Sequence, residues 1–204
     1  MKLVGIDLEG VLVPEIWVGL SKKTGLKELA LTTKDIPNYN ELMQSRIKIL
    51  NDNNIKAKEL FDIASEIDPY EGAVNFLDNI RDKYQVIILS DTFFNLSLPI
   101  FKKLSRPTVF CHKLIVNNAG MIENFEKCID HHKKLTIKAM NNLGFDTVAI
   151  GDSYNDLGML KEARKGILFK STEEIMTKNP NYLVCNSYPM LEKTLNKIFN
   201  ENIK

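Results

Sequence analysis

Three strongly apolar segments of this chain end in polar side chains of related chemistry. In chain order, they are Leu3–Ile6 before Asp7, Val86–Leu89 before Ser90-Asp91-Thr92, and Val148–Gly151 before Asp152. In an open parallel sheet, ligands bind in the crevice beyond the carboxyl ends of the strands. If the three segments are strands of one sheet, their carboxylates and hydroxyls meet in one crevice, as a phosphoryl-transfer site requires.

The order of predicted strands and helices indicates a doubly wound α/β fold. Helical spacing of apolar residues is found at Glu71–Lys83, at Lys133–Leu143 and in the tail, Tyr188–Lys204, and Asn117–Gly120 is a hairpin-like turn signal. Strand-like runs are predicted at 2–7, 84–90, 108–111, 146–151, 166–169 and 182–185. Alternation of strands and helices favours a Rossmann-like parallel sheet with helices on its faces.

Residues 14–70 interrupt this alternation. Pro14 and the Asp68–Gly72 turn border the interval. Helical patterns without a convincing strand between them lie at Glu15–Lys23, Tyr39–Asn51 and Lys56–Ile67. We therefore expect a catalytic core formed by 1–13 and 71–204, with a helical cap subdomain, 14–70, inserted after the first strand.

Composition argues against nucleic acid and membranes as partners. The 27 basic residues are nearly balanced by 26 acidic ones, so the chain has no positive excess for a polyanion. No apolar segment approaches the ~20 residues of a membrane span. We expect a cytoplasmic protein that acts on a small molecule, and the sequence leaves a homodimer open.

Asp7 and Glu9 are candidate reacting acids. Side chains two positions apart lie on the same side of an extended segment. One carboxylate can attack phosphorus to give an aspartyl-phosphate, and the other can protonate the leaving alkoxide and later deprotonate water or an acceptor alcohol. Taken alone, Asp7–Gly10 is more typical of a solvated strand-to-turn junction, and only the other strand ends favour chemistry here.

The second and third strand ends suggest a phosphate site and a metal site. The hydroxyl and backbone N–H groups of Ser90-Asp91-Thr92 can hold phosphate oxygens, although the same residues could cap a helix. Asp7 and Asp152 offer the hard oxygen ligands that suit Mg2+. Asp156, four residues after Asp152, would hold a coordinated water or orient the loop.

A positive charge is needed to offset these carboxylates and a phosphoryl group. Lys133 and Lys134 open the helix before the Asp152 strand, and we prefer Lys133. His131 and His132 precede them, but adjacent side chains on an extended chain point to opposite faces, so we do not expect them to be metal ligands.

The motifs resemble those of a known family. Asp7-Leu8-Glu9-Gly10, Ser90-Asp91-Thr92, Lys133 and Gly151–Asp156, in this order and with a helical insert after the first motif, are similar to the haloacid dehalogenase-like phosphatases with a cap of the first type. The resemblance covers the whole chain. Together with those motifs, the strings Asp7–Glu15 and Asp35-Ile36-Pro37 are similar to those of members that act on phosphoserine and can pass its phosphoryl group to homoserine.

The resemblance implies a role for each motif residue. The implied roles are Asp7 as nucleophile, Glu9 as proton donor and acceptor with its carbonyl also on Mg2+, Asp152 as the remaining metal ligand, Ser90, Asp91 and Asn155 as phosphate or substrate contacts, and Lys133 as the neutralising charge. Most of the wider superfamily has aspartate where Glu9 stands, so the chain departs there from the general pattern.

Glu15 and Arg46 concern the substrate. Phosphoserine is a zwitterion at its amino-acid end, so an arginine fork would match its carboxylate and a glutamate its ammonium group. The resemblance implies substrate contacts at both positions. A phosphate ester without the amino-acid end would leave both charges unpaired, which is a physical basis for specificity.

Other functions remain open from the sequence. A phosphatase of a nucleotide or a sugar phosphate would use the same chemistry, although the Glu15/Arg46 pair and the lack of an aromatic-rich cap argue against it. A non-enzymatic receiver-like module would need neither Glu9 nor a helical insert. A dinucleotide-binding module is disfavoured because no Gly-x-Gly-x-x-Gly follows the first strand.

Overall fold

A computed structural model describes residues 1–32, 35–36 and 38–200. Its centre is a seven-stranded sheet in the order β4-β3-β2-β1-β5-β6-β7. The strands are Lys2–Ile6 (β1), Gln85–Phe93 (β2), Val109–Val116 (β3), Ile122–Glu126 (β4), Asp146–Gly151 (β5), Lys165–Phe169 (β6) and Leu183–Cys185 (β7). All neighbouring strands are parallel except β3 and β4. The predicted doubly wound sheet is confirmed, with the predicted hairpin as its antiparallel edge.

Nine α-helices lie within the described residues. They are Ile16–Thr24 (α1), Tyr39–Asp52 (α2), Ala57–Ser65 (α3), Ala73–Arg81 (α4), Phe94–Lys103 (α5), His132–Asn142 (α6), Leu157–Glu162 (α7), Glu173–Lys178 (α8) and Tyr188–Asn200 (α9). Short 3₁₀ helices cover Lys27–Ala30 and Tyr154–Asp156. None of the helices in this part of the chain combines the length and the apolar character needed to cross a membrane.

Most predicted elements agree with these bounds, and one interpretation is wrong. Ser90-Asp91-Thr92 does not cap a helix, because β2 continues to Phe93 and α5 begins only at Phe94, without a side-chain capping bond. The Thr92 hydroxyl instead bonds that of Ser97, at 2.7 Å, in the interior. Pro37 of the quoted motif and residues 201–204 of the predicted core and tail helix lie outside the described residues.

The register of the central strands brings their ends to one level. Ile6 of β1 pairs with Ile88 of β2 on one side and with Ile150 of β5 on the other. A Cβ at Gly5 would come within 2.6 Å of Ile137, so glycine allows α6 to pack closely on β1. Residues that follow these strands therefore face a common crevice.

The helices between β1 and α4 pack on the sheet and the hairpin. Trp17 and Leu20 of α1 belong to the same apolar cluster as Ile6. The backbone N–H of Ala57 donates to the Gly120 carbonyl, at 2.9 Å, in the β3–β4 turn. These contacts seat α1 and α3 over the carboxyl ends of the strands. The division into core and cap stays a prediction.

Candidate active site

Asp7 is the first residue after β1, and it is buried. Its backbone N–H continues the sheet pairing by donating to the Ile150 carbonyl at 3.0 Å. Its carboxylate oxygen Oδ1 accepts from the Leu8 N–H at 2.8 Å and lies 2.9 Å from Lys133 Nζ. The strand end therefore holds this carboxylate in one orientation against a cation.

Lys133, in the first turn of α6, is a buried cation among three carboxylates. Its Nζ lies 2.9 Å from Asp7, 2.8 Å from Asp156 and 3.8 Å from Asp91. Burial alone would lower the pKa of Lys133, but Asp156, Asp7 and Asp91 raise it well above its ordinary value. Lys134 is exposed. Of the two lysines considered, only Lys133 reaches the site.

Asp156 organises the loop after β5. Its Oδ1 accepts from Lys133, and its Oδ2 accepts from the N–H groups of Asp152, at 3.0 Å, and Ser153, at 3.2 Å. A Cβ at Gly151 would come within 2.4 Å of Asp156, so only glycine leaves room for this side chain. The predicted loop-orienting contact of Asp156 is present.

Three carboxylates crowd together at these strand ends in a way that fits a divalent cation. Oxygens of Asp7, Asp152 and Asp156 lie within 4.8 Å of one another. Burial and the neighbouring acids raise the pKa of Asp152 to about 7 and that of Asp7 well above its ordinary value, although Lys133 opposes the shift. Asp152 Oδ1 is buried and has no hydrogen-bond partner among the described residues. A hard cation such as Mg2+ would satisfy this oxygen and relieve the repulsion.

Glu9 lies two residues beyond Asp7, in the segment between β1 and α1. Its Oε2 accepts from the Ile16 N–H, at 2.9 Å, at the beginning of α1. Burial and the nearby Glu15 raise the pKa of Glu9 to about 8. A carboxyl group with such a pKa holds a proton near neutral pH, which is the state a proton donor needs.

Ser90 and Asp91 lie near the end of β2. Ser90 is buried, and its hydroxyl accepts from the Thr92 N–H at 3.2 Å. Asp91 Oδ2 accepts from Asn155 Nδ2 at 2.9 Å. Although burial would raise the pKa of Asp91, the charge of Lys133, the facing imidazoles of His112 and His132, and the hydrogen bond from Asn155 hold it well below its ordinary value. Asp91 is therefore ionised and has a fixed orientation.

Arg46 projects from α2 toward the same space. Its guanidinium lies over the Trp17 ring at 4.4 Å, and Nη2 donates to the Leu31 carbonyl at 2.6 Å. Its Nε is buried and has no partner within the part of the chain that the structure describes. Burial lowers the pKa of Arg46 to about 10, which leaves it charged at neutral pH. A rigid cation with a free donor is suited to bind an anion.

One cavity of about 340 Å³ joins these groups. All nine predicted site residues line it, and they are Asp7, Glu9, Glu15, Arg46, Ser90, Asp91, Lys133, Asp152 and Asn155. Sequence reasoning missed Trp17 and Tyr39, which also line it, and the Tyr39 hydroxyl donates to the Asp91 carbonyl at 2.9 Å. It also missed His112 and His132 behind Asp91. As the one tryptophan in the chain, Trp17 was the only one of these with a compositional signal.

Comparisons with known proteins find relatives over most of the chain. A family profile described as haloacid dehalogenase-like hydrolase matches residues 1–164. The chain is 39% identical over 193 residues to the phosphoserine phosphatase ThrH of Pseudomonas aeruginosa, covering 95% of this chain and 94% of that protein. It is 37% identical over 203 residues to a phosphoserine phosphatase of Pseudomonas syringae pv. tomato, covering 100% of this chain and 86% of that protein.

Solved structures also resemble this fold. A phosphoserine phosphatase with bound substrate superposes with a TM-score of 0.75 at 23% identity, covering 96% of this chain and 97% of the other. A phosphoserine phosphatase in apo form gives a TM-score of 0.73 at 25% identity, covering 90% of this chain and 92% of the other.

Proposed function

Because the chain belongs to the haloacid dehalogenase-like hydrolases, we propose that it is a phosphoserine phosphatase that carries the phosphoryl group transiently on Asp7. The chain is thus an enzyme, and the open questions are its substrate and its acceptor. One observation carries the proposal: the reacting acids Asp7 and Glu9 share a single cavity with Arg46 and Glu15. The names of the relatives at 39% and 37% identity support the same substrate.

Asp7 is assigned as the nucleophile. The Leu8 N–H and Lys133 hold its Oδ1, which keeps the carboxylate in one orientation for attack on phosphorus. As the new O–P bond forms, the bond to the serine oxygen breaks, and Glu9 gives its proton to that oxygen. Lys133 offsets the charge that develops on the phosphoryl group, and positioning with electrostatics supplies most of the rate.

Glu9 then reverses its role. The deprotonated carboxylate takes the proton of an incoming hydroxyl group, whose oxygen attacks phosphorus and displaces Asp7. Water gives inorganic phosphate, and homoserine gives phosphohomoserine. Serine and homoserine have the same amino-acid end, so Glu15 and Arg46 would hold the acceptor as they held the leaving group. We therefore extend the proposal to phosphoryl transfer to homoserine.

Mg2+ is the proposed cofactor. Asp7, Asp152 and the backbone carbonyl of Glu9 would hold it, and when bound it supplies positive charge that neutralises the phosphoryl oxygens. Asp156 is a weaker candidate for direct contact, because its oxygens are already engaged by Lys133 and by two backbone N–H groups. We assign Asp156 to hold Lys133 and the loop.

Substrate selection is assigned to Arg46 and Glu15. The buried Arg46 Nε has no protein partner among the described residues and would bind the substrate carboxylate, while the exposed Glu15 would bind the ammonium group. The buried guanidinium is already fixed by Trp17 and the Leu31 carbonyl, so little side-chain entropy is lost on binding. A nucleotide or a sugar phosphate offers no such pair of charges.

A phosphorus-31 NMR time course of the protein with Mg2+, phosphoserine and excess homoserine tests the proposal. We expect the phosphoserine signal to be replaced by inorganic phosphate and phosphohomoserine, and Asp7→Asn to be inactive. Inorganic phosphate alone would refute the transfer. An unchanged phosphoserine signal alongside hydrolysis of a nucleotide or sugar phosphate would refute the substrate, and turnover by Asp7→Asn would refute the nucleophile.

A further inference from the structure

Two buried histidines face the carboxylate of Asp91 on the side away from Asn155. His132, the first residue of α6, places Nε2 at 3.0 Å from Asp91 Oδ1. His112 of β3 places Nε2 at 3.6 Å from the same oxygen. Both imidazoles are at least 95% buried, with 4% and 3% of their surface exposed for His112 and His132. The mechanism above gives neither of them a role.

The hydrogen bonds fix which ring nitrogens carry protons. The backbone N–H of Cys128 donates to His112 Nδ1 at 3.1 Å, so Nδ1 accepts and the proton of the neutral ring lies on Nε2. An ionised carboxylate only accepts hydrogen bonds. His132 Nε2, at 3.0 Å, must therefore donate to Asp91, and its Nδ1 is buried without a partner among the described residues. The Nε2–H of His112 faces the same oxygen from 3.6 Å. Two imidazole N–H groups thus converge on one carboxylate oxygen.

A metal site is the competing interpretation of this cluster. The candidate ligand atoms of Asp91, His112 and His132 lie within 4.8 Å of one another. A histidine that binds a metal through Nε2 normally donates its other N–H to an acceptor. Here the other nitrogen of His112 faces a donor, the Cys128 N–H. Lys133 already supplies positive charge at 3.8 Å from Asp91. The geometry therefore favours a hydrogen-bonded clamp over a metal centre.

The other oxygen of Asp91 faces the reacting groups. Oδ2 accepts from Asn155 Nδ2 at 2.9 Å and lies 3.8 Å from Lys133 Nζ. A carboxylate that lines a phosphoryl site would repel its substrate if it could turn freely toward it. Held from behind at Oδ1, Asp91 instead directs its charge at Lys133 and Asn155.

We propose that His112 and His132 are positioning residues, which lock Asp91 so that it holds Asn155 and Lys133 in place for phosphoryl transfer. The inference rests on phosphoryl transfer at Asp7 and not on phosphoserine as the substrate. Neither histidine touches the reacting atoms, so both act through Asp91.

A pair of substitutions at His132 separates this role from simple packing. In His132→Gln, the side-chain Nε2–H can still donate to Asp91. In His132→Leu, an apolar side chain fills the space and the donor is lost. With p-nitrophenyl phosphate and Mg2+, we expect kcat of His132→Leu to fall by about tenfold or more, because even small misplacements of reacting groups slow the reaction strongly. We expect KM to change less than kcat and His132→Gln to recover most of the loss. The same pair at His112 provides a second comparison if a His132 variant does not fold.

Several outcomes would overturn the proposal. Equal losses in His132→Gln and His132→Leu at equal melting temperatures would leave only a packing role, and unchanged kcat in both would remove any role. In ¹⁵N NMR of the histidine rings, we expect both imidazoles to carry their proton on Nε2, and we expect these Nε2–H signals to persist when Zn2+ is added. Loss of both Nε2–H signals at one equivalent of Zn2+ would instead establish a metal site.

The assay also distinguishes this inference from the proposed function. Hydrolysis of p-nitrophenyl phosphate without hydrolysis of phosphoserine would refute the substrate and leave the His132 comparison intact. Binding of beryllium fluoride at Asp7, followed by ¹⁹F NMR, gives a readout that does not depend on turnover. We expect it to weaken in His132→Leu and to recover in His132→Gln, and wild-type protein that neither binds it nor cleaves either ester would overturn both proposals.

Discussion

At the scale of single residues, the charge balance of the site depends on Lys133. Its Nζ is within 3 Å of Asp7 and Asp156, with distances of 2.9 and 2.8 Å, and all three side chains are buried. Breaking a buried ion pair by removing one partner typically costs about 3–5 kcal/mol. Lys133→Met should therefore abolish activity and lower the free energy of unfolding by an amount in this range at pH 8.

The stability deficit of Lys133→Met should depend on pH. The pKa of Asp7 is already raised in the folded protein, and loss of the lysine would raise it further. A carboxyl group with a raised folded-state pKa gives stability that is fully present below the unfolded pKa and is lost as pH rises through the folded pKa. Urea denaturation without divalent cations should show a smaller deficit at pH 5 than at pH 8. The exposed Lys134→Met is the control, and a deficit that does not vary with pH would contradict the assigned charges.

Arg46 is the residue to which we assign discrimination between substrates. If Arg46 binds the substrate carboxylate, Arg46→Ala should reduce the preference for phosphoserine over phosphoethanolamine by ~1.5–3 kcal/mol, the range of a hydrogen bond to a charged group. The measurement is kcat/KM for both esters. Lys48→Ala is the control, because the Lys48 side chain lies on the same helix and is exposed. Equal losses for both esters would contradict the assignment and indicate damage to α2 alone.

The sequence predicts residues of the site whose position is set by a strand end, but not those set by tertiary contact. Asp7 and Asp152 follow apolar runs and could be found from pattern alone. On an extended chain, His131 and His132 would point to opposite faces. Instead, His131 has a left-handed φ of 58° and stays exposed, while His132 begins α6 and is buried against Asp91. Its partner lies 41 positions away, and no local pattern indicates such a contact.

At the scale of elements, the end of β5 and the loop after it form one packed unit. A Cβ at Gly151 would meet the Asp156 side chain at 2.4 Å, which displaces the acceptor of Lys133. Overpacking a core typically costs about 1–3 kcal/mol of stability. Gly151→Ala should therefore lower the free energy of unfolding by an amount in this range, and it should also lower kcat. Gly158→Ala in α7 is the matched control, because its Cβ would make only ordinary contact at 3.4 Å. Thermal denaturation that finds the two variants equally stable would contradict this packing.

The predicted elements differ from the structure where local signals conflict. Helical spacing predicts the helices α1 to α4 and α6, and the predicted ends differ from the observed ends by only a few residues. Helix α5 was missed because Pro99 lies inside it and its apolar residues do not form a single stripe. Helix α8 was missed because it has six residues, too few for a periodic pattern. Strand β2 runs past its predicted end because Thr92 and Phe93 are buried there.

At the scale of the whole molecule, the fold converts distant segments into one acidic crevice. Asp7 and Asp152 lie far apart in the sequence, and β1 and β5 place them side by side because the two strands pair in register. The acids are crowded enough that burial and mutual repulsion raise the pKa of Asp152 to about 7. The folded chain therefore holds an arrangement that a divalent cation would stabilise and that the unfolded chain lacks.

Mg2+ should consequently raise the melting temperature, and by more at pH 8 than at pH 6. A ligand at one hundred times its Kd stabilises the folded state by about 2.7 kcal/mol, which for a chain of this size corresponds to roughly 5–10 °C. The sign of the pH effect follows from competition: protons occupy Asp152 below about pH 7, and the cation binds only the deprotonated carboxylates. Differential scanning calorimetry with Mg2+ and with EDTA at both pH values measures the shift.

Asp152→Asn is the control for this shift. The amide removes one negative charge from the crowded site, so this variant should lose most of the response to Mg2+ while remaining folded with EDTA. A shift of equal size at pH 6 and pH 8, or a wild-type shift in Asp152→Asn, would mean that the cation binds elsewhere. The expected pattern, in contrast, would locate the cation at the strand ends without any measurement of activity, because Asp152, whose pKa of about 7 lies between the two pH values, is one of the proposed ligands.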